Sequence, residues 1–335
     1  MLLSIDTPTD TPFDTLRTAP GRRRLRILTW HVHGNYLYYL SQAPHDFYLV
    51  TKPGNPPGYA GAGGALPWGD NLHEVDIDRV RHEEFDCVLF QHRKHWEKDR
   101  LTVLSDAQRK LPTILVEHDP PYDDPVMTPH YMTDPNALLV HVTPFNALMW
   151  DNGPATVRVI EHGVVVPPDV RYRGDHQCGI VVVNHLAKRG RRLGADLFER
   201  ARQRVPLDLV GMEAEASGGL GEVSNPELPA FMARYRFFFH PVRWTSLGLA
   251  AVEAMSIGMP IIGLAATELS TVIQNGVNGY VDTNLESLIS AMEELLADPG
   301  QARAWGEAAR RTAEERFSID RFVADWNDAF AMVTA

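Results

Sequence analysis

Residues 237–263 hold the densest chemical signal in the chain: Phe-Phe-Phe-His-Pro-Val-Arg-Trp-Thr-Ser-Leu-Gly-Leu-Ala-Ala-Val-Glu-Ala-Met-Ser-Ile-Gly-Met-Pro-Ile-Ile-Gly. Physically this is strand, loop, helix, turn, strand. The loop Thr245-Ser246-Leu247-Gly248 runs straight into the helix. A helix N-terminus offers unpaired backbone N–H groups and a positive partial charge. A glycine there lets an anion come close, so the segment reads as an anion site. Glu253, two turns further in, is placed to accept hydrogen bonds from a polyol such as a ribose. The plainer alternative is a strand–helix crossover with a surface glutamate.

A second cluster follows the apolar run 180–183: Asn184-His185-Leu186-Ala187-Lys188-Arg189-Gly190-Arg191-Arg192. Cations at the start of a helix oppose its dipole unless an anion sits there. An anion held through charge-assisted hydrogen bonds meets that description. The alternative is a solvated basic helix start. In the first half of the chain, His31, His33 and Asn35 surround Gly34 in a turn between strand and helix. His118 closes the run Val116-Glu117-His118-Asp119, and His92 follows another strand-like run. These are candidate polar groups for a cleft. His92 suits a ligand cleft or a solvated loop equally.

Positioning such groups needs a scaffold, and the chain supplies the pattern of one. Short β-rich apolar runs occur at 25–30, 47–50, 87–90, 113–116, 137–140 and 157–160, with polar or helical segments between. That pattern predicts a parallel sheet with crossover helices. After Gly163, Val164-Val165-Val166-Pro167-Pro168 reads as a linker, and the alternation restarts at 180–183, 207–211, 237–240, 260–263 and 279–281. The stretch 53–71, rich in Pro and Gly, reads as a loop. A helix is predicted over 284–297, from apolar residues at helical spacing, with Thr283 and Glu286 as a capping box. Further helices are predicted over 301–316 and 319–332, the last capped by Ser318. The expected domains are a flexible tail 1–23, an N-terminal unit 24–166 joined by a final helix 319–335, and a C-terminal unit 167–318. In such sheets ligands sit beyond the carboxyl ends of the strands. The expectation is therefore an α/β protein of two doubly wound, Rossmann-like domains facing a cleft.

The segment 237–263 resembles the donor-binding motif of retaining GT-B glycosyltransferases of the family 4 type, roughly E-x-F-G-L-x-x-x-E-A-M-x-x-G-x-P-V-I. The match falls on Gly248, Leu249, Glu253, Ala254, Met255, Gly258, Pro260 and Ile262. Val159-Ile160-Glu161-His162-Gly163-Val164 is similar to the family's V-I-P-N-G-V. Gly276-Val277-Asn278-Gly279-Tyr280 is similar to its N-G-x-x-G-Y/F turn, and 308–318 to its A-R…F-S ending. The similarity covers most of 157–330. One departure matters: where the family carries the first Glu of E-x7-E, this chain has Thr245.

The resemblance implies a nucleotide diphosphate sugar as donor, with no cofactor or metal requirement. It implies a carbohydrate, lipid or small-molecule acceptor, and a final helix that crosses back to the first domain. Donor binding falls to Gly34, Asn184, Lys188, Arg189, Ser246, Leu247, Gly248, Leu249 and Glu253, with Glu253 on the ribose. His118, Thr245 and Arg189 are the implied catalytic positions, and His31, His33, Asn35 and His92 the candidates for the acceptor. Two rivals stay open: a homologue that binds nucleotide sugar without turnover, and a nucleotide-sugar epimerase of the same fold.

Composition narrows the classes. The 335 residues carry 32 Lys and Arg against 43 Asp and Glu, a net charge of −11. That argues against binding a nucleic acid polymer, which needs positive charge against phosphates. No run of about 18 apolar residues marks a membrane span. Cys87 and Cys178, the only cysteines, exclude a disulfide framework and read as buried free thiols. Together these lead us to expect a cytoplasmic protein, monomeric or homodimeric.

Overall fold

The computed structural model describes residues 23–63 and 66–335, so most of the tail assigned to 1–23 lies outside the described residues. Two sheets, every strand pairing parallel, organise the described chain. The first contains β1 (Arg26–Thr29), β2 (Asp46–Thr51), β3 (Leu72–Asp76), β4 (Cys87–Phe90), β5 (Thr113–Glu117), β6 (Leu138–His141) and β7 (Thr156–Val159), in the order β3-β2-β1-β4-β5-β6-β7. The second contains β8 (His176–Val182), β9 (Leu207–Val210), β10 (Tyr235–His240), β11 (Ile261–Leu264) and β12 (Gly279–Asp282), in the order β12-β11-β10-β8-β9.

The central strands are apolar on both faces because helices cover both. In β4, β6 and β11 every residue is buried, as parallel sheets require. The edge strand β3 has no counterpart in the expected strands. Its sequence Leu-His-Glu-Val-Asp buries only Val75, so it carries no apolar run to find. In both sheets the strand order reverses next to the first strand of the unit, β1 and β8, which opens a crevice at the strands' carboxyl ends.

The last helix (Ile319–Thr334) packs on the first half of the molecule. Phe322 meets Tyr36 edge-on at 5.6 Å, and Phe330 meets Phe47 at 6.4 Å. The crossing is tight at Gly163, where a Cβ would lie 2.2 Å from that of Phe322. Val164 bridges to Ser318 beside it. Arg316 fastens the corner by pairing with Glu161 and Glu268.

Two cap assignments change. The helix Leu285–Ala297 is capped by Asn284, whose side chain accepts from the Glu286 N–H, and not by a Thr283–Glu286 box. Asp282 in turn accepts from the Asn284 N–H, and this fixes the start one residue later. Ser318 stands at the N-cap position of the last helix, but its hydroxyl makes no cap bond. Asp298 ends one helix and caps the next, accepting from Gly300 and Gln301 N–H groups. Cys87 and Cys178 are buried free thiols. Among the described residues no helix is long and apolar enough to cross a membrane.

Candidate functional site

The two sheets face each other across a cavity of about 540 Å³. From the first half, the turn after β1 brings His33, Gly34 and Asn35 to its wall. From the second half come Asn184 and Arg189 after β8, Gly211 after β9, and Thr245, Gly248, Leu249 and Glu253 after β10. The cavity thus gathers nine of the expected site residues from segments more than 200 residues apart.

The helix Leu249–Ile257 begins at Gly248, whose backbone is extended and whose position allows no side-chain cap. Gly248, Leu249 and Ala250 border the cavity, and no side chain caps this helix end, as an anion site requires. The helix ends at Gly258 with φ of +98°, a left-handed turn that glycine adopts freely. Between these ends, Glu253 is 4% exposed, so it is a buried acid and not a surface one. The Tyr39 hydroxyl, from the first helix (Gly34–Leu40), donates to Glu253 Oε1 at 2.6 Å. Burial pushes the Glu253 carboxyl above the usual range, while hydrogen bonds from Tyr39 and Asn35 pull it back.

The basic loop divides its labour. Arg189 reaches the cavity wall, and among the described residues it forms no ion pair. Lys188 is exposed to solvent. Arg191 pairs with Asp196 at 2.8 Å, and Arg243 grips the same carboxylate at 2.6 and 2.8 Å. Arg192 lies over the Tyr122 ring at 4.3 Å. One guanidinium of the cluster is thus left for a ligand. Asn184 borders the cavity, though its Oδ1 already accepts from the Met212 N–H.

Ser246 and Leu247 are buried beneath the loop and do not border the cavity. Their carbonyls are taken, by Thr267 and by His162 Nε2 at 2.9 Å. Thr245 does border the cavity, and its hydroxyl lies 3.4 Å from Asp119 Oδ1. Asp119 belongs to the other half, so it sets a carboxylate of the first domain beside Thr245. The same loop is tied across the cleft by Trp244 Nε1, which donates to the Pro121 carbonyl at 2.9 Å.

The histidines separate in the same way. His33 is on the cavity wall, and His118 stands behind it with ring centroids 4.0 Å apart. Tyr36 lies edge-on to His118 at 4.6 Å and to His162 at 5.9 Å. Burial lowers the pKa of His33, drives that of His118 well below the ordinary value and brings His162 to about 4. All three are neutral imidazoles at pH 7. His31 turns away, its Nδ1 held 2.5 Å from the Gly61 carbonyl. His92 is exposed, and its Nδ1 accepts from the Lys94 N–H. Neither His31 nor His92 borders the cavity.

Several wall residues went unnoticed in the sequence: Gly211, Met212, Glu222, Val223, Asn225, Leu228 and His240. Gly211, after an apolar strand run, was the visible sign. The rest are scattered over the loop after β9, the helix start at Leu228 and the end of β10, with no shared motif. Tyr39 was also missed, although Asn35 and Tyr39 are four apart and so share one helix face. Away from the cleft, His176, Cys178 and Asp208 bring ligand-type atoms within 4.8 Å of one another near the opposite ends of the strands. Tyr235 donates to that Asp208 at 2.8 Å.

Comparison with known proteins bears on the family and the fold. Residues 217–312 match the family model "Glycosyl transferases group 1". A GDP-mannose-dependent alpha-(1-6)-phosphatidylinositol monomannoside mannosyltransferase of Mycolicibacterium smegmatis is 31% identical over 180 residues, covering 44% of this chain and 47% of that protein. A D-inositol 3-phosphate glycosyltransferase of Xylanimonas cellulosilytica is 37% identical over 91 residues, 27% of this chain and 22% of that one. The chain thus spans less than half the length of these curated relatives. Likeness of fold runs further. Sucrose-phosphate synthase from Thermosynechococcus elongatus superposes with a TM-score of 0.68 at 14% identity, over 93% of this chain and 99% of its own. Anabaena HepE in complex with UDP gives 0.64 at 13% identity, over 92% and 100%. The two-domain GT-B architecture is therefore shared along nearly the whole chain.

Proposed function

We propose that this protein is a glycosyltransferase that moves a hexose-type sugar from a nucleotide diphosphate sugar to an acceptor, with retention at the anomeric carbon. The observation that carries this is one cavity wall holding the Gly248 helix end, Arg189 and Glu253 together. The first two suit a diphosphate, and the third suits a ribose. The family match over 217–312 supports the reading, because it includes Gly248 and Glu253.

In this mechanism the anomeric C–O bond to the diphosphate breaks, and the leaving group takes up negative charge. The Gly248 helix end and Arg189 stabilise that charge more as it develops, which lowers the barrier. The acceptor oxygen attacks from the same face, and its proton passes to a leaving phosphate oxygen. His33, neutral and on the opposite wall, orients the acceptor with His118 behind it. Thr245 gives the sugar a hydroxyl where a glutamate would give charge. No metal or cofactor enters the proposal, and the acceptor is a carbohydrate, a lipid or a small molecule. We assign the protein to the cytoplasm, as a monomer or homodimer.

The test is a panel of GDP-, UDP- and ADP-sugars, with and without candidate acceptors, read by product analysis and anomeric NMR couplings. GDP-mannose and UDP-glucose come first, since a relative's name carries the former and a fold neighbour was solved with the latter. Transfer with retained configuration supports the proposal. Binding without turnover points to a homologue that only binds, and rearranged donor without acceptor points to an epimerase. Neither binding nor turnover with any donor sinks it.

A further inference from the structure

Glu253 is a buried acid on a helix whose other buried members are Ala251, Val252, Ala254, Met255 and Ile257. Among the described residues it forms no ion pair, and its partners are the neutral Tyr39 and Asn35. Fold stability alone favours an apolar residue at such a place, because an uncompensated carboxylate costs several kcal/mol to desolvate. What meets this acid is the first helix of the other domain: Tyr39 by its hydroxyl, and Asn35 one turn before it. Behind them lies a second cavity of about 230 Å³, lined largely by Tyr38, Leu66 and prolines of the linker and of 226–229, and bordered also by Tyr39 and Glu253. The Tyr39–Glu253 bond therefore has an apolar cavity on one side and the cleft on the other.

We propose that Tyr39 is a positioning residue for donor recognition: its hydroxyl fixes the Glu253 carboxylate so that a remaining lone pair accepts a hydrogen bond from a ribose hydroxyl of the donor. This rests on the reading that the cleft binds a nucleoside diphosphate. A carboxylate has about four acceptor sites, so Tyr39 and Asn35 leave it capacity. Holding one oxygen removes the rotamer freedom that a ribose would otherwise have to overcome. It also keeps the carboxylate an acceptor, since a hydrogen bond to the charged form favours that form. The first domain thereby takes part in reading the nucleotide, although the diphosphate groups bind to the second.

The experiment is calorimetry of the full chain and of Tyr39→Phe, which removes only the hydroxyl. The ligands are UDP, GDP and ADP, each compared with its 2′-deoxy and 3′-deoxy counterparts. Wild type should prefer the ribose form of its nucleotide by about tenfold, the scale of one hydrogen bond to a charged group. Tyr39→Phe should cut that preference to about twofold, and in turnover assays raise the donor KM with kcat held within about twofold. A Tyr39→Phe variant that keeps the full ribose preference overturns the inference, even where its affinity or melting temperature falls, since Tyr39 then acts only in packing. A wild type that binds nucleotide with no ribose preference also overturns it and leaves the proposed function standing. A wild type that binds none of the three diphosphates overturns the function itself and this inference with it.

Discussion

On the second domain's side, the cleft wall holds Arg189, the helix end at Gly248, Glu253 and Glu222: one cation, one set of backbone dipoles and two acids. On the first domain's side stand His33 and Asn35, backed by His118, Tyr36 and His162. The first set is charged or dipolar and fits a ligand of fixed charge, such as a diphosphate. The second is neutral and packed ring on ring, and fits hydroxyl groups whose protons must be oriented. Under the proposed function the donor takes one wall and the acceptor the other, and Glu253 is the point where both walls touch the same group.

The largest expected effect breaks the neutral wall. His118, His162 and His33 have folded pKa values below the ordinary 6.5, with His162 at about 4. Between pH 6.5 and about 4 the unfolded chain binds more protons, so stability is full above this window and falls as pH drops through it. For His162 the expected loss is about 1.4 kcal/mol per pH unit within that window, and His33 and His118 add to it in the same direction. Calorimetric melting at pH 7.5, 6, 5 and 4.5 shows it, and His118→Asn should flatten the slope. A melting temperature independent of pH would remove the neutral wall from the comparison.

Next is the charged wall. Arg189→Ala should weaken nucleoside diphosphate binding by about 10- to 100-fold, the range for a hydrogen bond to a charged partner. Equal affinity in calorimetry would take Arg189 out of the site. Glu253→Ala should cost about 1–3 kcal/mol of nucleotide affinity, as one lost charged hydrogen bond. It should do so with the diphosphate contacts intact, so binding of pyrophosphate alone stays unchanged.

A smaller effect is expected where the walls meet at Thr245. Thr245→Glu places a second carboxylate beside Asp119, and like charges repel. It should lower stability by about 1 kcal/mol in urea unfolding, and Asp119→Asn should restore it. If Thr245→Glu also shifts donor preference, Thr245 reads the sugar. Smallest of all, Lys188→Ala and Arg191→Ala should leave nucleotide affinity within about twofold, because one faces solvent and the other is held by Asp196. A loss as large as that of Arg189→Ala would mean the loop rearranges on binding.

The charged wall was legible in the sequence because its chemistry is local. Thr245 to Glu253 sit within one loop and one helix, and the helix end and the acid need only each other's spacing. The same holds for the basic loop, where the resemblance already picked out Arg189; packing then showed Arg191 held by Asp196, Arg192 over Tyr122 and Arg189 on the cavity wall. The neutral wall was half legible. His31 and His33 flank one valine, and neighbours two apart in a turn point in different directions, so one turned to Gly61 and the other to the cleft. Strand β3 was hidden because an edge strand with one buried residue has no apolar run.

The sequence by itself determined the alternation of strands and helices, the restart near the linker, and the short-range constellation of Gly248 and Glu253. Those follow from periodicity and from chemistry within a few residues along the chain. Only the tertiary structure decided that Arg191 is held by Asp196, that Asp119 stands beside Thr245, and that Tyr39 reaches Glu253 from 214 residues away. Such pairings depend on how two domains close on each other, and spacing along one chain carries no record of that distance.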